Sequence, residues 1–223
     1  MKYEMKISLP IYKIAYAVFF VVILSLVRGV TDSYEIGIAL EAPMAVLAAA
    51  FCADTYTQEI TSKRSEIQRL CPMKKTVYSI YKRILIQVIF LMADAVIGYG
   101  LFILFQNPRT ADSGQIGAGS EGCRFFVYIA AVAVTLGFWG ILSNLISCLF
   151  RNMWMGICGC LILWLMTNSN VGDRLFGVWN LFSYTFRDVE NGSDFGWICG
   201  KIVCIGIGMA AAAVLPVIIA ERG

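Results

Sequence analysis

Histidine is absent from the 223 residues, which excludes imidazole acid–base chemistry, His-ligated zinc and the Ser/His or Cys/His nucleophile pairs. Charge is scarce as well: 15% of the residues are Asp, Glu, Lys or Arg, where soluble domains carry about a quarter. The string Gly-x4-Gly-Lys-Ser/Thr does not occur, so the chain lacks the loop that cradles a nucleotide's phosphates. Its nearest approach, Gly196 to Ile202, has the wrong spacing, lacks the hydroxyl and opens an apolar run. A net charge of only +3 offers no basic surface for nucleic acid.

What is present is apolar. Residues of the AVILMFWYC set make up 59% of the chain and the mean hydropathy is +0.73, the composition of an all-α integral membrane protein. Residues 1–223 read as a single transmembrane domain without internal repeat. Met1 to Lys13 is polar, and the apolar run that follows is long enough to span a bilayer and has no small-residue cleavage site. It therefore reads as an anchor and not as a cleaved signal peptide. Of the eight cysteines, Cys52, Cys148, Cys158, Cys160 and Cys204 lie in apolar runs and read as small packing residues. Cys123 and Cys199 fall at the same ends of their spans, where a disulfide is conceivable and two buried thiols is the alternative.

Crossing hydrocarbon takes about 20 apolar residues. Candidate spans are Ile11 to Val27, Ile36 to Ala53, Ile84 to Phe105, Phe125 to Phe150, Met153 to Met166 and Trp197 to Ala220. The fifth is short and either tilts, thins the bilayer locally or re-enters. With the N-terminus inside, Lys2, Lys6 and Lys13, then the cluster from Lys63 to Arg83, lie on the cytoplasmic side, which the positive-inside rule favours. Charge leaves the second half open, because a re-entrant fifth segment gives an equally good balance. Asn107 to Gly122 is a glycine-rich outer loop. Asp173 to Phe186 places Phe176, Trp179, Phe182 and Phe186 at three- and four-residue steps, so the spacing predicts an aromatic-faced interfacial or re-entrant helix.

Few polar groups lie within the spans. Asp94 sits near the middle of the third, where an acid is a functional hypothesis by default; it is expected to face the bundle, as packing or as a proton relay. Gln87 and Asn144 lie on the inner halves of their spans and are a possible interhelical pair. Gly200, Cys204, Gly208 and Ala212 follow a four-residue step on the last span, and Ala133 and Gly137 do so on the fourth, which suits close helix approach. Between the second and third spans runs the longest polar stretch, Asp54 to Arg83. Glu59 with Lys63 and Glu66 with Arg69 are at helical ion-pair spacing before Pro72 ends the helix. It reads as a charged lever, or as a basic anchor on anionic lipid.

Asp54, Glu59, Leu70-Cys71-Pro72, Lys74-Lys75 and Lys82-Arg83 together make the chain resemble the ABC type-2 permease family. The six-segment order, short fifth segment and aromatic stretch before the last span extend that resemblance over most of the chain. It implies the type V exporter fold: six transmembrane helices, a cytoplasmic coupling helix, an outer interfacial or re-entrant helix and both termini inside the bacterial cytoplasmic membrane. It also implies a dimer of permeases, identical or not, and a separate ABC ATPase subunit that carries ATP and Mg, with no cofactor and no catalysis on this chain. Glu59, Lys63, Arg64, Glu66, Ile67, Arg69, Leu70 and Pro72 would couple to that ATPase. The substrate pathway would be lined by Met44, Leu47 and Phe51 of the second span and Ile157, Leu161 and Trp164 of the fifth. Their apolar, methionine-bearing and aromatic character suits an amphipathic peptide or lipid-like cargo. At that level the chain is similar to permeases that secrete peptide toxins such as phenol-soluble modulins. Two features depart from the family: Met1 to Pro10 is short for its amphipathic connecting helix, and the loop Asn107 to Gly122 is long. The alternatives are a drug-efflux permease or a six-span binding component of a vitamin importer, the latter needing no charged lever.

Overall fold

The computed structural model describes residues 2–31, 35–55, 57, 73–108, 119–182 and 196–222; the side chains of residues 2, 3, 73–76, 119–124, 173, 196, 197 and 220–222 lie outside that description. Among the described residues the fold is all helical. In chain order it has α1 (Lys2–Ser8), α2 (Ile11–Val27), α3 (Glu35–Cys52), α4 (Met73–Gln106), α5 (Gly119–Phe150), α6 (Met153–Thr167), α7 (Asn170–Phe176) with a 3-10 turn (Gly177–Trp179), and α8 (Gly196–Arg222).

Four of these helices, α3, α4, α5 and α8, are long and apolar enough to cross a membrane. A fifth crossing results if α6 and the α7 segment, bent by 64° at their junction, count as one broken span. α2 has 17 residues and falls just below that length. The sequence places α4 and α5 from Ile84 and Phe125, whereas the helices begin at Met73 and Gly119. An apolar run marks only the hydrocarbon-facing part, and a helix with nothing to break it continues into polar surroundings. At 34 and 32 residues, α4 and α5 are about 50 Å long, well beyond a hydrocarbon core of roughly 30 Å.

α3 is the innermost helix, with no exposed residue along its length. Six alanines and Gly37 keep it thin, so that α2, α4, α5 and α6 all pack on it. α5 lies between α3 and α8 and carries α6 along another side. The α5–α6 corner is a Schellman turn: Arg151 adopts a left-handed backbone (φ 52), its N–H bonds to the Cys148 carbonyl (3.4 Å) and the Asn152 N–H to that of Ser147 (3.2 Å). Asn152 then caps α6, its side chain accepting from the Trp154 N–H at 2.9 Å. One turn on, a Cβ at Gly156 would strike Ser147 Oγ, which is why α5 and α6 can lie so close there.

Two prolines sit inside helices, Pro43 in α3 and Pro216 in α8. Each lacks the N–H that the carbonyl four residues earlier would receive, namely Ala39 and Ala212. In hydrocarbon such a carbonyl must be satisfied from elsewhere. Arg28 donates to Ala39 O at 3.0 Å, and the Tyr81 hydroxyl of α4 donates to Ala212 O. Both freed carbonyls thus become interhelical bonds. Tyr81→Phe is expected to destabilise the fold by about 1–3 kcal/mol, and Pro216→Ala, which restores the intrahelical donor, to remove most of that loss. A double-mutant cycle followed by thermal unfolding in detergent checks it, and additive effects would refute the pairing.

α1 and the C-terminal part of α8 meet α4 at one level. Ile80 and Ile84 pack with Leu215 and Ile219, while Glu4 binds Ser79 (3.0 Å) and Arg83 (2.6 Å). Both chain ends therefore lie at one end of the bundle.

Candidate functional site

Among the described residues the bundle holds two buried ion pairs, one towards each end. At the end shared by the termini, Lys13 of α2 and Asp54, just beyond α3, form a pair. Lys13 also donates to the Phe51 carbonyl at 2.8 Å and lies 5.1 Å from the centre of the Phe51 ring. Around it, the Thr55 hydroxyl donates to Gln87 Oε1 (2.9 Å), Gln87 Nε2 to Ser8 O (3.2 Å) and Asn144 Nδ2 to Cys52 O (2.6 Å). Gln87 and Asn144 do not pair with one another: Asn144 donates to a carbonyl in the last turn of α3, which has no helical donor, whereas Gln87 bridges the Thr55 hydroxyl and the Ser8 carbonyl. Below this layer, burial raises the Glu4 carboxyl, but the hydrogen bond and charge of Arg83, with Ser79 and Lys82, outweigh it and hold Glu4 below its ordinary range.

Towards the opposite end, Lys201 of α8 is paired with Glu41 of α3. Lys201 also bonds to Thr135 Oγ1 of α5 (2.9 Å) and to the Leu181 carbonyl (3.3 Å), and the Phe182 ring lies over its ammonium at 5.8 Å. Thr135 donates to Glu41 Oε1 at 2.8 Å. Phe182 stacks on Trp139 with centroids 5.9 Å apart and planes 16° apart. Glu41, Thr135 and Lys201 are all buried. Glu41 Oε2 and Trp139 Nε1 have no hydrogen-bond partner among the described residues. A carboxylate and an ammonium taken out of water each cost several kcal/mol, so the pair holds α3, α5 and α8 together at this depth.

Neither Glu41 nor Lys201 belongs to a motif in the sequence. The available signal was depth: Glu41 and Lys201 are single, opposite charges, each a little over one turn inside the start of its apolar run. Asp94 is buried, as expected of a bundle-facing acid, and its Oδ2 has no partner among the described residues.

The proposed coupling residues Glu59, Lys63, Arg64, Glu66, Ile67, Arg69, Leu70 and Pro72 lie outside the described residues. Of the pathway residues, Met44, Leu47 and Phe51 are buried within the chain. Ile157, Leu161 and Trp164 are half-buried, and Trp164 Nε1 bonds to the Ala42 carbonyl at 2.8 Å. Cys52, Cys148, Cys160 and Cys204 are buried packing residues, but Cys158 is exposed on α6. Cys199 is a free thiol, and the side chain of Cys123 is outside the description. The single aromatic helix expected over Asp173 to Phe186 is not what forms. Gly177 takes a left-handed backbone (φ 49) and the helical run ends at Trp179, so Phe176 and Trp179 stay exposed while Phe182 turns into the bundle; Phe186 lies outside the described residues.

No family model, no curated protein and no solved structure matches the chain.

Proposed function

We propose that the chain is the permease subunit of an ATP-driven exporter, moving an amphipathic or hydrophobic cargo, most readily a peptide, out across the bacterial cytoplasmic membrane. In this reading the polar stretch from Asp54 to Arg83 carries the coupling helix, Glu59 to Leu70, a separate ABC ATPase docks on it, and a second permease copy completes the pathway. The observation that carries the reading is how the flanks of that stretch are rooted. Its start, Asp54, is paired with Lys13 of α2, and its far side runs into α4, which Glu4 grips through Ser79 and Arg83. Force applied to the stretch would therefore reach α1, α2, α3 and α4 at once, as a lever requires. The charged faces of Glu59, Lys63, Glu66 and Arg69 suit specific docking, with Ile67 and Leu70 as the apolar filling.

The test is affinity purification of the tagged protein in mild detergent. A P-loop ATPase is expected at one copy per permease, and Glu66→Lys or Arg69→Glu is expected to abolish its recovery. Recovery of the chain alone, or with an ATPase indifferent to both reversals, would overturn the reading and favour a binding component.

A further inference from the structure

We propose that residues 168–182 form a strap that closes the Glu41 end of the bundle, with the buried Glu41–Lys201 pair as its seat. Among the described residues two contacts hold its far end. At the first, Asn180 Nδ2 bonds back to the Thr167 carbonyl at 2.9 Å, closing the corner where the chain bends by 64°. At the second, Leu181 offers its carbonyl to Lys201, and Phe182 is inserted between the Lys201 ammonium and the Trp139 ring. Asn180, Leu181 and Phe182 are accordingly buried. Ahead of these contacts the strap turns apolar side chains outward, with Val171, Leu175 and Trp179 60%, 65% and 59% exposed, while Gly172 is buried against the Thr167 backbone. Gly177, with its left-handed φ, supplies the turn that lets the second anchor reach inward.

The seat is built from three helices, with Glu41 on α3, Thr135 and Trp139 on α5 and Lys201 on α8. It is therefore where those helices would part if this end opened. Closed, the strap keeps the ion pair dry, and the charges hold one another. Lifted, it would admit water to both charges, and the hydration each regains offsets the attraction lost. Two such arrangements of one polar cluster, separated by the entry of water, make a two-state element. The device is a property of this chain and stands apart from the ATPase reading, because its test involves no partner.

Cys204 reports on the strap, since it is buried one turn below Lys201 with its sulfur 4.0 Å from the Leu181 carbonyl. The full chain in detergent is treated with a small maleimide, and labelling of each cysteine is followed by peptide mass spectrometry. In the wild-type protein Cys204 is expected to react far more slowly than in the same chain unfolded in sodium dodecyl sulfate. Phe182→Ala, and separately Asn180→Ala, which removes the bond to the Thr167 carbonyl, are expected to speed Cys204 labelling roughly tenfold or more while Cys52 and Cys148 stay protected. The proposal is overturned if Cys204 is no faster in either variant, if it accelerates only in step with Cys52 and Cys148, or if it reacts as fast in the folded wild type as in the unfolded chain.

Discussion

Lys201→Met alone is expected to destabilise the protein by about 3–5 kcal/mol, because it strands the Glu41 carboxylate inside the bundle. Glu41 is completely buried, and among the described residues Thr135 would be its one remaining donor and Oε2 already has no partner. Adding Glu41→Gln to Lys201→Met removes the stranded charge while keeping shape and one hydrogen-bond acceptor for Thr135. The double replacement is therefore expected to lie close to the wild type, since a buried ion pair exchanged for neutral groups of similar volume is often neutral or stabilising. Thermal unfolding in detergent, followed by circular dichroism, measures all three. Equal losses in the single and double variants would mean that Lys201 acts by packing its methylenes and not by its charge.

That contrast also shows where the sequence is informative. Ile11–Val27 is bounded by Pro10 and by a run that ends at Arg28, so its limits are those of its apolar residues. The same holds for the short α6, framed by Asn152 and the polar stretch at Thr167. Burial of Asp94 follows from its depth. By contrast, the partners of Arg28 and Tyr81 are backbone carbonyls freed by Pro43 and Pro216, and a carbonyl carries no residue label that a pattern could match. Gln87 and Asn144 are visible as polar groups, but the Ser8 and Cys52 carbonyls that accept from them are not. Glu41 and Lys201 are 160 residues apart, so their meeting depends on two helices packing against a third. The aromatic spacing of Phe176, Trp179 and Phe182 fits one helix face, yet one positive φ at Gly177 sends Phe182 to the other side of the chain.

Asp54→Asn and Lys13→Met probe the other ion pair and are expected to behave differently from each other. Lys13→Met leaves Asp54 without its ammonium, but the carboxylate side chain is 11% exposed and draws on water, so the loss should fall at or below the low end of about 3–5 kcal/mol. Asp54→Asn leaves Lys13, whose side chain is only 3% exposed, holding the Phe51 carbonyl and ring. Those contacts compensate the cation in part, so its cost should be the smaller of the two, about 1–3 kcal/mol. The swap Lys13→Asp with Asp54→Lys should not restore stability, because an aspartate at position 13 cannot donate to the Phe51 carbonyl. Under the exporter reading the two single variants share a second outcome: a loosened Asp54 uncouples the start of the lever, so ATPase stimulation by cargo should fall while co-purification of the ATPase persists. Thermal unfolding orders the stabilities, and cargo-stimulated ATP hydrolysis in vesicles reads the coupling. A full rescue by the swap would show that attraction between the two charges, and not the Phe51 anchor, fixes this end of α3.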